Sequence, residues 1–375
     1  MTSNGWPRLG KGVLARLGPP LVALLLAEGL LWAIAFARGS DPRLGPTWVR
    51  WDSYRYVEIA RGGYVEVAED PNSSNTGWFP GFPLVMQLGS SVLSTTPARA
   101  GRWASLLFEL GTLTLVWTRL VPAASPAQRW LALLCAAFFP GWFYRHAVFP
   151  MSMTTLFNTA ALALAGAGSF LAAGLCGAVS AFTYPTGFLV AAGVAVAALL
   201  RRGRTPAERI GDLALGPGLA AAGLLAVAAL LQVRVGHWDA FLTYQGRFGN
   251  TLHEPLSVLL DHARPLTAGA FEPRALVAFQ TLLVTLLLLV AAWLAWRDRA
   301  SGLPTDLPLL VHAATVWVFV NGSGPNVSVY RQAAVLVGLA PLLARLPTPA
   351  LAALFAACVA LGVGMARLFF SNVLV

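Results

Sequence analysis

Acidic, basic and aromatic side chains are concentrated in one short stretch, WVRWDSYRYVEIARGGY, residues 48 to 64. Asp52 is a candidate proton acceptor there, although an aspartate at the start of a helix also caps exposed backbone N–H groups. Arg55 and its two neighbouring arginines either bind a phosphate beside a membrane or anchor their charged ends at its surface. Spacing alone leaves both interpretations open for each residue.

A helix is the element that would position these side chains. Counted from Trp51, the residues Asp52, Arg55, Tyr56 and Ile59 recur at three- and four-residue steps and therefore share one helical face. Such a helix lies in the membrane interface, with its aromatic rings at the depth of the lipid headgroups. We therefore expect an amphipathic helix with Asp52 at its N-terminal end.

The rest of the chain is too apolar for a soluble protein. Hydrophobic residues make up 57% of the 375 and charged residues only 11%, with a mean hydropathy of +0.66. Soluble domains carry about 25% charge. The net charge is +10 and its basic residues are almost all arginine; loops that obey the positive-inside rule and contact anionic membrane lipids explain this better than binding of nucleic acid. The basic residues Arg8, Lys11 and Arg16 precede an apolar run without a cleavage site, which predicts a retained anchor.

Apolar runs recur from end to end, which predicts an all-α polytopic membrane protein with about 9–11 transmembrane helices. The expected apolar segments are 17–36, 79–95, 100–119, 128–144, 150–168, 171–199, 212–233, 275–296, 306–320, 329–345 and 349–370. The segment 79–95 is not expected to span, and AFTYPTG, residues 181 to 187, is expected to break the run 171–199 into two half-helices.

Two long connections, 37–78 and 234–273, separate these segments. The positive-inside rule places the N-terminus, 201–209 and 297–305 in the cytoplasm, so both long connections fall on the outer side. We predict one transmembrane domain, residues 1–375, in the cell membrane. The connection 37–78 would be its first external catalytic loop and 234–273 its second large external loop.

Four motifs, in order along the chain, resemble the PIG-V-like mannosyltransferases. These are integral membrane enzymes of the GT-C superfamily, related to the second mannosyltransferase of GPI-anchor assembly. The first motif, RWDSYRYVEIARGGY followed by WFPGFPLVMQL, matches the family's Trp-Asp, Tyr, Ile-Ala, Gly-Tyr and Phe-Pro-x-x-Pro pattern. The others are FPGWFYRHAVFPMSMTTLF, SAFTYPTG and GHWDAFLTYQGRFGN, starting at residues 139, 180 and 236.

The resemblance implies a GT-C fold and an inverting transfer of a hexose, mannose by family, on the extracytoplasmic side. The donor would be a polyprenyl-phosphate sugar, comparable to dolichol-phosphate mannose, and the acceptor a lipid or glycan of the cell envelope. Asp52 would be the catalytic base. The residues expected to bind substrate are Trp51, Arg55, Tyr56, Arg145, Gln245 and Arg331, with Trp238 and Arg247 as further candidates. No metal or other cofactor is implied.

The chain departs from the family pattern at three places. Phe149, Pro150 and Met151 stand where members carry a Tyr-Ser-Glu-like triplet, and Tyr184 stands where they often carry an arginine. An Arg-Tyr pair near the C-terminus is reversed, as Tyr330 and Arg331. These departures keep a non-catalytic subunit open as an alternative. A transporter or flippase of lipid-linked intermediates is the other alternative, although no internal repeat is visible.

Two glutamates lie inside apolar runs, Glu28 and Glu109. Because carboxylates within a membrane are costly, each is expected to face a cavity or to pair with a buried arginine.

Overall fold

The described part of the chain is built of helices. The structure, a computed structural model, describes residues 9–67, 70, 73–121, 125–266, 273–298, 306–324 and 328–373, with side chains from residue 14 onward. Over these ranges it contains helical segments and no strands. Arg8, the side chain of Lys11 and residues 299–305, on which part of the orientation prediction depends, lie outside the described residues.

Eighteen α-helices are described. They are α1 Leu9–Ala37, α2 Ser53–Gly62, α3 Gly81–Val92, α4 Pro97–Leu115, α5 Pro126–Ala137, α6 Trp142–His146, α7 Met151–Gly166, α8 Phe170–Thr183, α9 Val190–Leu200, α10 Pro206–Leu213, α11 Leu219–Val235, α12 Ala240–Arg247, α13 Pro255–Ala263, α14 Pro273–Arg297, α15 Asp306–Gly322, α16 Val329–Gln332, α17 Ala340–Leu343 and α18 Thr348–Phe370.

Four of the described helical segments are long and apolar enough to cross a bilayer, judged by length and composition. They are Leu14–Ala37, Pro206–Val235, Pro273–Arg297 and Thr348–Phe370. The segment Pro206–Val235 joins α10 to α11 through a wider turn that contains Pro217. Shorter apolar helices, such as Asp306–Gly322, lie beside them, so the count of 9–11 spanning helices stays a prediction.

Local sequence explains where several helices begin. Thr96 accepts a hydrogen bond from the backbone N–H of Arg99 and is followed by Pro97, which suits the first turn of α4. Ser125 forms a reciprocal capping box with Gln128, and Thr205 forms another with Glu208. These polar caps fall in the short connections between apolar runs.

The expected break in the run 171–199 is confirmed. The helix α8 ends at Thr183, Tyr184 is extended at φ −153°, and α9 begins at Val190 after one short 3₁₀ turn. Pro185 prevents the helix from continuing, because its ring has no N–H and restricts the residue before it. The freed backbone faces the large cavity described below, where Tyr184, Pro185 and Thr186 contribute to the wall.

Buried ion pairs tie the N-terminal helices together. Glu28 on α1 bonds Arg102 on α4 and lies 2.5 Å from Nδ1 of His146. Glu109 on α4 lies 2.9 Å from Nε of Arg145, and both of these side chains are fully buried. The two intramembrane glutamates are thus partners of arginines inside the helical core.

Candidate active site

A cavity of about 1590 Å³ lies where the first loop (the connection 37–78), the broken helix and the second loop (the connection 234–273) meet. One wall is apolar and is built mainly from α11, α12 and α15. The other wall is aromatic and charged and is built from α2 and α16. The residues of the apolar wall are Leu224, Leu225, Val227, Ala228, Leu231, Phe241, Leu242, Phe319 and Val320. A cavity with these two walls has room for a molecule that has both an apolar chain and a polar head.

Asp52 lies on the charged wall. It precedes α2 with helical backbone angles, φ −55° and ψ −20°, and its carboxylate makes no capping bond to the helix. Instead the carboxylate accepts a hydrogen bond from Nη1 of Arg331, and a third of the side chain remains exposed. The capping interpretation of Asp52 therefore does not describe its side chain.

The backbone beside Asp52 is strained. Trp51 has a positive φ of 42°, a conformation that residues with a Cβ adopt rarely. Its ring packs edge-on against Phe369 of α18, with centroids 6.0 Å apart. Such strain costs on the order of 1–3 kcal/mol and persists where tertiary packing enforces it. Packing thus holds the chain in the path that presents Asp52 to the cavity.

Arg331 reaches the site from α16, near the far end of the chain. Its Nη2 donates to Oγ of Ser328 at 2.8 Å, and its guanidinium carbon lies 5.5 Å from the centroid of the Phe149 ring. Only 14% of the side chain is exposed. A cation over aromatic faces with little water around it is attracted to them and is weakly screened.

The remaining residues of α2 divide between the cavity and the core. Arg55 lines the cavity, pairs with Glu58 at 2.8 Å, and places its guanidinium carbon 5.6 Å from the ring centroid of Trp78. Tyr56 also borders the cavity but is only 2% exposed, because its ring packs edge-on between Phe82 and Phe149. Arg55 thus contributes a charged group to the lining of the cavity, whereas Tyr56 mainly supports the wall.

The second loop also lines this cavity. Trp238 and Gln245 both line it, and Oε1 of Gln245 accepts a hydrogen bond from Asn250 at 2.7 Å. The ring of Tyr244 lies 5.1 Å from that of Trp78, centroid to centroid, and rests where a Cβ at Gly77 would overlap it. The two long connections therefore pack against each other through aromatic side chains.

A further contact between the two loops involves His237. Its Nε2 lies 2.5 Å from Glu66 of the first loop, and its Nδ1 lies 3.1 Å from Asp239. The hydrogen bonds to Glu66 and Asp239 raise the pKa of His237 above its ordinary value. His237 thus joins the two loops next to Trp238, which lines the cavity.

A hydrogen-bonded cluster at the cavity wall, centred on Gln332, was not indicated by the sequence. Gln332 donates through Nε2 to the hydroxyl of Tyr184 at 2.6 Å and accepts from Thr186 at 3.2 Å. All three line the cavity and are nearly buried. The only signal for Gln332 was its position next to Arg331, because its partners lie more than a hundred residues away.

Six of the seven residues selected from the sequence border one cavity: Trp51, Asp52, Arg55, Tyr56, Gln245 and Arg331. Arg145 does not. It is fully buried, pairs with Glu109, and donates to the backbone carbonyls of Ala136, Ala137 and Ala334. With its donors engaged inside the helical core, Arg145 supports the fold away from the cavity. Among the described residues, no three His, Cys, Asp or Glu side chains form a group that could hold a metal ion.

The chain matches no protein-family model and no curated protein. It does match solved structures. Over 86% of its length it is similar to ArnT from Cupriavidus metallidurans bound to undecaprenyl phosphate, with a TM-score of 0.55 and 18% identity. The same enzyme in the apo state gives a TM-score of 0.53 at 19% identity over 88% of this chain. The apo oligosaccharyltransferase of Archaeoglobus fulgidus gives 0.50 at 15% identity over 94% of this chain.

The chain spans only 60%, 61% and 56% of the lengths of these three structures. At such identities the likeness concerns the fold alone. That likeness and the helical architecture agree: the chain has the all-helical fold of the GT-C membrane glycosyltransferases.

Proposed function

We propose that this protein is an inverting membrane glycosyltransferase. It transfers a hexose, mannose by its resemblance to the PIG-V-like enzymes, from a polyprenyl-phosphate sugar to a hydroxyl group of a lipid or cell-envelope acceptor. The observation that carries this proposal is the pairing of Asp52 with Arg331 on the wall of the large cavity. A carboxylate and a guanidinium side by side are the two groups that the reaction needs.

Asp52 is the proposed general base. The acceptor hydroxyl attacks C1 of the sugar from the face opposite the phosphate, and Asp52 takes the hydroxyl proton as the new C–O bond forms. The bond between C1 and the phosphate oxygen breaks, and its electron pair leaves with the polyprenyl phosphate. A phosphate is a good leaving group without protonation, so one carboxylate suffices. Inversion at C1 follows from this single displacement.

The phosphate is proposed to bind arginine. Arg55 and Arg331 both line the cavity on the same side as Asp52, and guanidinium groups bind phosphate oxygens through paired N–H donors. They would stabilise the negative charge that grows on the leaving group. Trp238 and Gln245 of the second loop are the proposed contacts of the sugar ring.

The apolar wall of the cavity supports a lipid carrier. It is formed by side chains of α11, α12 and α15 beside the charged wall, so a polyprenyl chain can lie along it while its phosphate reaches Arg331. The ArnT structure with the highest TM-score of the three was solved bound to undecaprenyl phosphate. We propose the same class of carrier for this protein. We propose that this site faces the extracytoplasmic side, as the positive-inside rule predicts.

The direct test is sugar transfer by the purified protein. Radiolabelled polyprenyl-phosphate mannose is supplied with an envelope lipid extract, and labelled product is measured for the wild type, Asp52→Asn and the control Asp41→Asn. Asp41 lies in the same loop, but its carboxylate pairs with Arg43 and does not line the cavity. Transfer by the wild type and the control but not by Asp52→Asn is expected. Absence of transfer from polyprenyl-phosphate mannose and from the other polyprenyl-phosphate hexoses tested would overturn the enzymatic proposal.

The two alternative functions, a flippase and a non-catalytic subunit, predict different results with the same purified protein. A flippase would move labelled carrier lipid across a vesicle bilayer without forming a new glycoside. A non-catalytic subunit would bind the carrier and form no product until a second protein is added.

A further inference from the structure

The charges around the cavity are matched one to one. Among its described lining residues the cationic side chains are Arg55 and Arg331, and the acidic ones are Asp52 and Glu58. Arg55 pairs with Glu58, and Arg331 pairs with Asp52. An anionic ligand therefore meets no uncompensated positive charge on this wall and must compete with a carboxylate for a guanidinium.

The two pairs differ in strength. Arg55 and Glu58 are one turn apart on α2, and half of the Glu58 side chain is exposed, so water screens the pair. Arg331 is only 14% exposed and lies over the rings of Phe149 and Tyr144, so its attraction to Asp52 is screened less. The Asp52–Arg331 pair is therefore the stronger of the two ion pairs in the cavity.

The Asp52–Arg331 pairing conflicts with the proposed role of Asp52 as general base and with the proposed role of Arg331 as phosphate ligand. One oxygen of Asp52, Oδ2, accepts from Arg331, so that oxygen is engaged while the bond is made. At the same time, the Nη1 donor that would face a phosphate is held by the carboxylate. Nε of Arg331 is buried and has no hydrogen-bond partner among the described atoms, so the guanidinium retains a donor beside the pair. The fork that includes Nη1 is formed by the two Nη groups, and it can bind two oxygens of one anion only after the carboxylate has left Nη1.

We propose that the donor phosphate displaces the Asp52 carboxylate from Arg331. In the resting state, before the donor binds, Asp52 and Arg331 are bonded to each other. A polyprenyl-phosphate sugar, a phosphodiester with one negative charge, replaces the carboxylate on Arg331 charge for charge. Asp52 is then released to accept the proton of the acceptor hydroxyl. This inference rests on the proposed function, and it adds that the donor activates the base.

An order of binding follows from this exchange. Until the donor phosphate occupies Arg331, Asp52 is bonded and a hydroxyl in the cavity is not deprotonated. The donor must therefore bind before the acceptor is activated.

The test uses a ligand that has the phosphate but no sugar to transfer. Binding of undecaprenyl phosphate to the full-length protein in nanodiscs is measured for the wild type, Asp52→Asn, Glu58→Gln and Arg331→Gln. Asp52→Asn removes the competing charge, so its affinity should rise by on the order of tenfold, the size expected for losing one charged hydrogen bond. Glu58→Gln removes the same charge from the same wall and should change the affinity by less than about threefold, because that pair is exposed.

Arg331→Gln should bind the lipid phosphate more weakly than the wild type, and adding Asp52→Asn to it should bring no gain. This double variant separates a specific exchange from a general change of charge. Thermal unfolding of each variant is followed in parallel. If Arg331→Gln does not fold, Arg331→Lys replaces it, since lysine keeps the charge but loses the fork and should bind with intermediate affinity.

The outcomes distinguish this inference from the proposed function. Equal affinity of the wild type and Asp52→Asn, in a protein that transfers sugar, would overturn the exchange and leave the enzymatic proposal standing. Equal tightening by Glu58→Gln and Asp52→Asn would overturn it as well. Tighter binding by Asp52→Asn in a protein that transfers no sugar would support the exchange and count against the enzyme. Failure of both the wild type and Asp52→Asn to bind undecaprenyl phosphate would overturn both proposals.

Discussion

Arg331 donates a hydrogen bond to the carboxylate of Asp52 across 279 positions of the chain. The contact joins the residue that precedes α2 to the third residue of the short helix α16, and both residues line the large cavity. It brings the candidate base and a candidate phosphate ligand into one pair.

Asp52→Asn should lower the rate of sugar transfer between about 10²- and 10⁴-fold, the range that general-base catalysis contributes. The amide has the shape of the carboxylate but takes no proton at neutral pH. The rate is measured with labelled donor at saturating acceptor, and folding is followed by thermal unfolding. A variant that folds and turns over as fast as the wild type would exclude Asp52 as the base.

Glu109→Gln should destabilise the fold by about 3–5 kcal/mol, because it leaves the charge of fully buried Arg145 without its partner. Glu58→Gln breaks a pair that is half exposed and should cost less than about 1 kcal/mol. The free energy of unfolding of both variants is measured in the same detergent. Similar losses of unfolding free energy in the two variants would show that burial does not determine how much the Arg145–Glu109 pair contributes to stability.

Contact between the two loops should weaken as the pH rises. The hydrogen bond to Glu66 raises the pKa of His237, so the stability it contributes is complete below the ordinary histidine value of about 6.5. That contribution is lost as the pH passes through the raised pKa. Tryptic cleavage after Arg247, which is exposed, reports opening of the second loop.

Glu66→Gln removes one cause of the raised pKa and should move the onset of that cleavage to lower pH. Each digestion is normalised to an unfolded reference peptide, since trypsin itself depends on pH. Identical profiles for the wild type and Glu66→Gln would mean that His237 does not hold the loops together.

Gly81→Ala should destabilise the protein by about 1–3 kcal/mol, as extra atoms in a packed site do. A Cβ at Gly81 would lie 2.8 Å from Cα of Thr183, where α3 crosses the end of α8. Gly62→Ala is the matched control, since a Cβ there meets no atom within 4 Å. Alanine at that position should be neutral or slightly stabilising in thermal unfolding. A loss of stability at Gly62 as large as that at Gly81 would contradict the close-approach argument.

Most helices were predictable because their signals are local. The segments expected at 17–36, 275–296 and 349–370 correspond to α1, α14 and α18, since a long apolar run by itself specifies such a helix. The break after Thr183 was signalled by Pro185 and Gly187. The helix of the first loop begins at Ser53 instead of Trp51, because Trp51 is held at positive φ by its packing on α18.

The sequence by itself determined the class of fold and the loop that carries Asp52. Both follow from composition, from helical spacing and from one motif, and the all-helical GT-C fold is confirmed. Only the tertiary structure decided which arginine faces Asp52. Arg145 and Arg331 carry the same charge and both occur in apolar surroundings, yet packing buries one against Glu109 and brings the other to the cavity. A contact between residues 279 positions apart depends on how every intervening helix packs, and no local pattern records it.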